Sequence, residues 1–200
     1  MVTIPGLLSF KAAHDFVTSK KEWISSKLRI QVNPTILSSE TSYKTRFHSL
    51  NFIPEARLNI HVKISNGLIN IRFPSHLSEA DSSIQEAARR GIDLAYRIEG
   101  HQILPQRLEL LAKANGYNYN RLSIKRTLTR WGSCSSKNNI NLSIYLMKLP
   151  DELIDYIILH ELAHTKVKNH KLEFWRELDT LTNGNAKAFA KKLKQFRTGV

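Results

Sequence analysis

Five consecutive residues, His160-Glu161-Leu162-Ala163-His164, carry the pattern H-E-x-x-H. On a helix, two histidines four apart project from the same side and can grip one zinc ion, while the Glu between them points about 100° away from His160, within reach of a water at the metal. The chemistry this suggests is hydrolysis, with the metal polarising a carbonyl and Glu161 acting as general base. With eight His and eleven Glu in 200 residues, chance alone yields such a string about 2% of the time, so the pattern carries information.

Catalytic zinc usually takes three protein ligands, and the third must come from outside the pair. His170 follows His164 after five residues, a gap that allows the helix to end and the chain to turn back. The same gap occurs in the metzincin pattern, but there a Gly permits the turn, and Val167 stands in that place here. Glu173 and Glu177 would lie one and two turns along a following helix, so either could replace or buttress His170. His14, His48, His61, His76 and His101 have unremarkable neighbours and read as surface or packing residues.

The motif must be held by a helix, and DELIDYIILHELAH, opened by Pro150 with Asp151 and Glu152 in its first turn, is one. Its apolar residues cover nearly every direction around the axis, which marks a buried helix. Two imidazoles and a carboxylate there would be costly unless a cation satisfied them. Ahead of it, Leu122 and Ile124 begin a strand, residues 130–139 are rich in turn formers and read as a loop, and Ile140, Leu142 and Ile144 alternate as a second strand. Further upstream the spacing predicts a helix over 82–98, another from Pro105 to about 115, and a hairpin with strands at 58–64 and 69–73 joined by Asn66-Gly67. A helix is expected over 10–28 behind a Ser9 cap, and short strands and loops over 33–57.

Hydrophobic residues at 42% and charged residues at 24% suit a folded globular chain. The single cysteine, Cys134, excludes an intrachain disulfide and a cysteine-based zinc site. No apolar run nears the roughly 20 residues of a membrane span, and the N-terminus lacks a signal-peptide pattern, so a cytoplasmic location with no membrane contact is expected. Thirty Lys and Arg against seventeen Asp and Glu give a net charge of +13. A field of that sign attracts phosphates, nucleic acid or acidic substrates, although a solvated basic surface is the simpler reading.

Arg130-Trp131-Gly132-Ser133-Cys134, the strand at 140–143, Pro150, the H-E-x-x-H helix, Asn169-His170 and Phe174-Trp175 together resemble the YgjP-like family of zinc metallopeptidases. The resemblance is strongest over about 120–178, and FVTSKKEWI at 16–24 resembles that family's N-terminal helix. It implies an α+β class, with a zincin-like hydrolase domain over 81–200 and a β-rich N-terminal region with one leading helix over 1–80. It also implies zinc held by His160, His164 and His170, with Glu161 as catalytic base. Some family members are described as nucleoside triphosphate pyrophosphatases, so the implied substrate is a peptide or a nucleotide.

In the peptidase reading the strand at 140–144 pairs with an extended peptide, and Arg130 or Ser133, in the loop that precedes it, contacts substrate or its oxyanion. In the pyrophosphatase reading Lys125, Arg126 and Arg130 contact phosphates, although no glycine-rich phosphate loop is present. A third reading is a nucleic-acid-associated protein with a zinc site, in which the basic surface matters most.

Overall fold

The structure is a computed structural model that describes residues 9–22 and 36–199. The chain divides between Ile36 and Leu37. In the first unit, helix α1 spans Phe10–Ser19, and the Ser9 hydroxyl accepts from the Ala12 amide at 3.2 Å, as its cap position predicts. Residues 23–28 of the helix expected over 10–28 lie outside the described residues.

The second unit begins with a three-stranded sheet of order β1-β3-β2. Strand β3 (Leu68–Pro74) runs between β1 (Ser49–Glu55), which is parallel to it, and β2 (His61–Ser65), which is antiparallel. Asn66 and Gly67 make the β2–β3 turn with φ of 51° and 71°, the paired left-handed geometry that the dipeptide predicts. The hairpin's first strand starts at His61 and not at 58, and Leu58 is exposed. Its place in the apolar alternation had no packing partner behind it. Strand β1 is the strand within the 33–57 stretch, where short strands and loops were expected; residues 33–35 lie outside the described residues.

Helix α2 spans Ser82–Ala114 without a break, where two helices were expected. Pro105 sits inside it. An interior proline costs about 3 kcal/mol, but Leu104 and Leu108 on either side are wholly buried, each contributing roughly 2 kcal/mol by burial. Helix α2 packs against both the first sheet and the elements that follow.

The second sheet has order β4-β6-β5, with β6 (Asn139–Ser143) parallel to β4 (Arg121–Lys125) and antiparallel to β5 (Gly132–Cys134). Two sequence expectations change here. The stretch read as a loop contains β5, and the strand at 140–144 is the central one, its hydrogen-bonding edges already taken on both sides. The open edges belong to β4 and β5, and it is β5 that lies against Glu161.

A short 3-10 turn, Ile144–Lys148, leads into α3 (Asp151–Lys166), followed by α4 (Leu172–Leu181) and α5 (Ala186–Leu193). Leu153, Ile154, Ile157, Ile158, Leu159 and Leu162 are all buried, so α3 is the core helix its composition predicts. Its first turn is clamped: Asp151 pairs with Arg46 at 2.6 Å and Arg107 at 3.4 Å, and Asp155 also binds Arg107. The Arg46 guanidinium donates as well to the carbonyls of Met147 and Leu149. Arg46 itself is held by Glu99 of α2, which is wholly buried and accepts from the Thr45 hydroxyl, the amides of Arg46 and Phe47, and His48 Nδ1. Among the described residues no helix is long and apolar enough to cross a membrane.

Candidate metal centre

Helix α3 ends where the metal site needs it to. Its last residues place His160 and His164 one turn apart, and Val167 at the C-cap adopts an extended conformation (φ −117°, ψ 107°), its amide donating to the Ala163 carbonyl at 2.9 Å. The turn back to His170 thus runs through extended backbone, which a β-branched residue accepts, and needs no glycine.

The Val167 carbonyl does a second thing. It lies 2.9 Å from His164 Nδ1, and a carbonyl can only accept, so Nδ1 carries the proton and Nε2 keeps its lone pair. That Nε2 is 3.1 Å from His170 Nε2, which is 3.2 Å from His160 Nε2. The three imidazoles are the group among the described residues that could hold a metal ion.

Burial holds the His160 and His164 rings neutral. The His160 imidazole is pushed down to about 3, chiefly by desolvation and then by the neighbouring His164 and His170; burial also lowers His164, partly offset by the Val167 carbonyl. Three imidazole nitrogens turned to one point crowd one another unless a cation or a shared proton lies between them. Tetrahedral zinc with Zn–N distances of 2.0–2.1 Å separates its nitrogens by about 3.3 Å, so the cluster fits such an ion.

Phe174 of α4 is the hub against which all three rings pack. Wholly buried, it lies 4.4 Å from the His164 ring in a stacked arrangement, and 4.9 and 4.7 Å from His160 and His170 edge to face. In the sequence its i+4 spacing from His170 was the available signal.

Glu161, 5% exposed, points toward β5. Burial raises its carboxyl to about 8, with the positive charge of Arg130 pulling the other way. A group in that range can both take and give a proton near neutrality. Gly132 is what admits it: a Cβ at that position would lie 2.7 Å from Glu161 Oε1. No sequence spacing connects the two, because the sheet brings them together.

A cleft of about 490 Å³ opens above the cluster, lined by Arg130, Gly132, Ser133, Cys134 and Lys168 with the three histidines and Glu161. Ser133 Oγ accepts from Asn141 Nδ2 at 3.3 Å. Lys168 Nζ donates to the Ser135 carbonyl at 3.0 Å and to the Asn138 side chain, bolting the β5–β6 turn to the segment before His170. Burial raises the Cys134 thiol, which keeps it protonated.

The other expected site residues lie elsewhere. Glu177 accepts from the Tyr117 hydroxyl and from Lys166 Nζ, and Glu173 is exposed; neither joins the histidine cluster. Arg126 is tied to Asp93 at 2.6 Å, and of Lys125, Arg126 and Arg130 only Arg130 lines the cleft.

Fold and cluster together define a metal-binding class of site at the end of a buried helix. A family model described as YgjP-like, metallopeptidase domain, matches residues 1–196, and the chain belongs to that family. Membership of a metallopeptidase family implies a metal. No curated protein matches the sequence. Among solved structures, the metallopeptidase zymogen jannalysin of Methanocaldococcus jannaschii is 28% identical, over 46% of this chain and 93% of that one, with a TM-score of 0.41. The metallopeptidase zymogen abylysin of Pyrococcus abyssi is 27% identical, over 49% of this chain and 100% of that one, with a TM-score of 0.42.

Proposed function

We propose that this chain is a zinc-dependent peptidase in which His160, His164 and His170 hold the ion through Nε2 and Glu161 moves the proton. The convergence of three Nε2 atoms at 3.1 and 3.2 Å beside a buried carboxylate carries this reading. Zinc supplies Lewis-acid polarisation and acidifies water.

The remaining chemistry belongs to the chain's own residues. The Glu161 carboxylate takes the proton from the attacking water and passes it to the leaving amine, a role its raised proton affinity suits. The free edge of β5 offers the backbone of Gly132–Cys134 to an extended peptide, which would add as a further strand of the second sheet. Ser133, braced by Asn141, stands on the same rim as a donor to substrate. A triphosphate substrate has less support, since two of its three expected phosphate contacts lie away from the cleft.

Elemental analysis of purified protein, with hydrolysis of casein and of UTP measured in parallel, tests the proposal. About one zinc per chain is expected, lost in His164→Ala and His170→Ala. Glu161→Gln should keep the zinc and lose roughly 10²–10⁴-fold in peptide turnover. A wild-type protein that takes up no metal on reconstitution overturns the reading.

A further inference from the structure

We propose that Arg130 is a specificity-determining residue that selects peptides carrying an Asp or Glu within two residues of the bond to be cleaved. This rests on the peptidase reading above and adds the substrate class.

Three observations carry it. The cleft holds two cations, Arg130 and Lys168, against one carboxylate, Glu161. Glu161 is committed to proton transfer, and the Lys168 ammonium is occupied by the Ser135 carbonyl and the Asn138 side chain. Arg130 is exposed and, among the described residues, joins no ion pair. Lys168 joins no ion pair either, but its donors are taken, so Arg130 is the cleft cation whose donors are free among the described residues.

Its position along the edge is equally defined. Gly132 abuts Glu161, so the bond under attack lies beside Gly132. Arg130 is two residues upstream, at most roughly 7 Å away at the rise of an extended chain. A peptide lying along β5 would therefore bring a side chain one or two residues from the cleaved bond to the guanidinium. The planar fork of Arg matches a carboxylate in bidentate fashion, whereas an Asn side chain at that place offers one neutral acceptor and a Lys is repelled. The net charge of +13 adds long-range attraction for the same substrates.

Quenched fluorescent peptides of one sequence, with Asp, Asn or Lys substituted at each of the three positions on either side of the cleaved bond, test this on the zinc-loaded full chain. Wild type should show roughly tenfold higher kcat/KM for Asp over Asn at one position within two residues of the bond, falling with added salt. Arg130→Gln should erase that preference, and Arg130→Glu should turn it toward Lys. Anisotropy of the labelled Asp peptide on the Glu161→Gln background should show the same loss of affinity when Arg130→Gln is added. Peptide cleavage with no charge preference, or a preference that survives Arg130→Gln, overturns the inference and leaves the peptidase reading standing. A zinc-loaded protein that cleaves UTP and none of the peptides overturns both.

Discussion

Gly132 and Glu161 meet with no room for one more carbon between them: a Cβ on Gly132 would lie 2.7 Å from Oε1, 2.8 Å from Cγ and 3.0 Å from Cδ of Glu161. The edge strand and the metal helix are thus fitted to each other at the residue proposed to carry the proton. Gly132→Ala should displace Glu161 and lower peptide turnover by about 10²-fold, since displacements near 1 Å have effects of that size. Zinc content should be unchanged, because the three histidines lie away from the clash. Metal analysis and steady-state kinetics on one preparation check this, and loss of zinc together with activity would contradict it.

Glu177 marks the boundary of the metal site. Its carboxyl is held below the usual carboxylate range, first by the hydrogen bond from Tyr117 and then by Lys166. A depressed carboxylate contributes stability above its unfolded value of about 4.5, and that contribution is lost as pH falls through the lower folded value. Glu177→Gln should therefore cost about 1 kcal/mol at pH 7, with the gap to wild type closing as the solution is acidified below 4.5. Urea unfolding across that range measures the effect, and zinc should stay at the wild-type level.

Phe174 touches all three histidine rings and is wholly buried. Phe174→Ala should destabilise the metal-free protein by about 3–5 kcal/mol. It should also weaken zinc affinity by roughly tenfold or more, because the rings lose the surface that orients them. Chelator competition at a urea concentration where the variant remains folded separates the two effects. Wild-type affinity in a destabilised variant would make Phe174 a packing residue alone.

Glu99 is far from the cleft, yet it sets the loop at 45–48 from which Arg46 reaches the start of α3. Removing the carboxylate strands the Phe47 amide and His48 Nδ1 with no acceptor and leaves the Thr45 hydroxyl only the His48 carbonyl. Glu99→Ala should cost at least about 3 kcal/mol by thermal or urea unfolding. A near-neutral change would show that water or neighbouring carbonyls take over those donors.

The buried helix and its two histidines were legible because both follow from local periodicity: a 3.6-residue repeat fixes which side chains share a face, whatever surrounds them. The Asn66-Gly67 turn was legible for the same reason, since left-handed φ values are a property of the residues themselves. His170 was a choice among three residues by sequence. The extended conformation of Val167 and the capture of Glu177 by Tyr117 favour His170, and neither is encoded in spacing.

Misreadings cluster where burial overrides local preference. Pro105 signals a helix start, but an unbroken apolar stripe through Leu104 and Leu108 carries the helix across it. Residues 132–134 carry turn-forming side chains, and pairing with β6 makes them a strand nonetheless.

By itself, then, the sequence determined the chemistry on one helix: two imidazoles, a carboxylate between them and an apolar surround that makes a cation their natural partner. Tertiary structure alone decided which sheet edge faces that helix, which arginine stands free at its rim and why position 132 is glycine. Helical spacing is fixed within a few residues, whereas strand order, edge exposure and a 2.7 Å approach between residues 29 apart depend on how the whole chain buries its apolar surface.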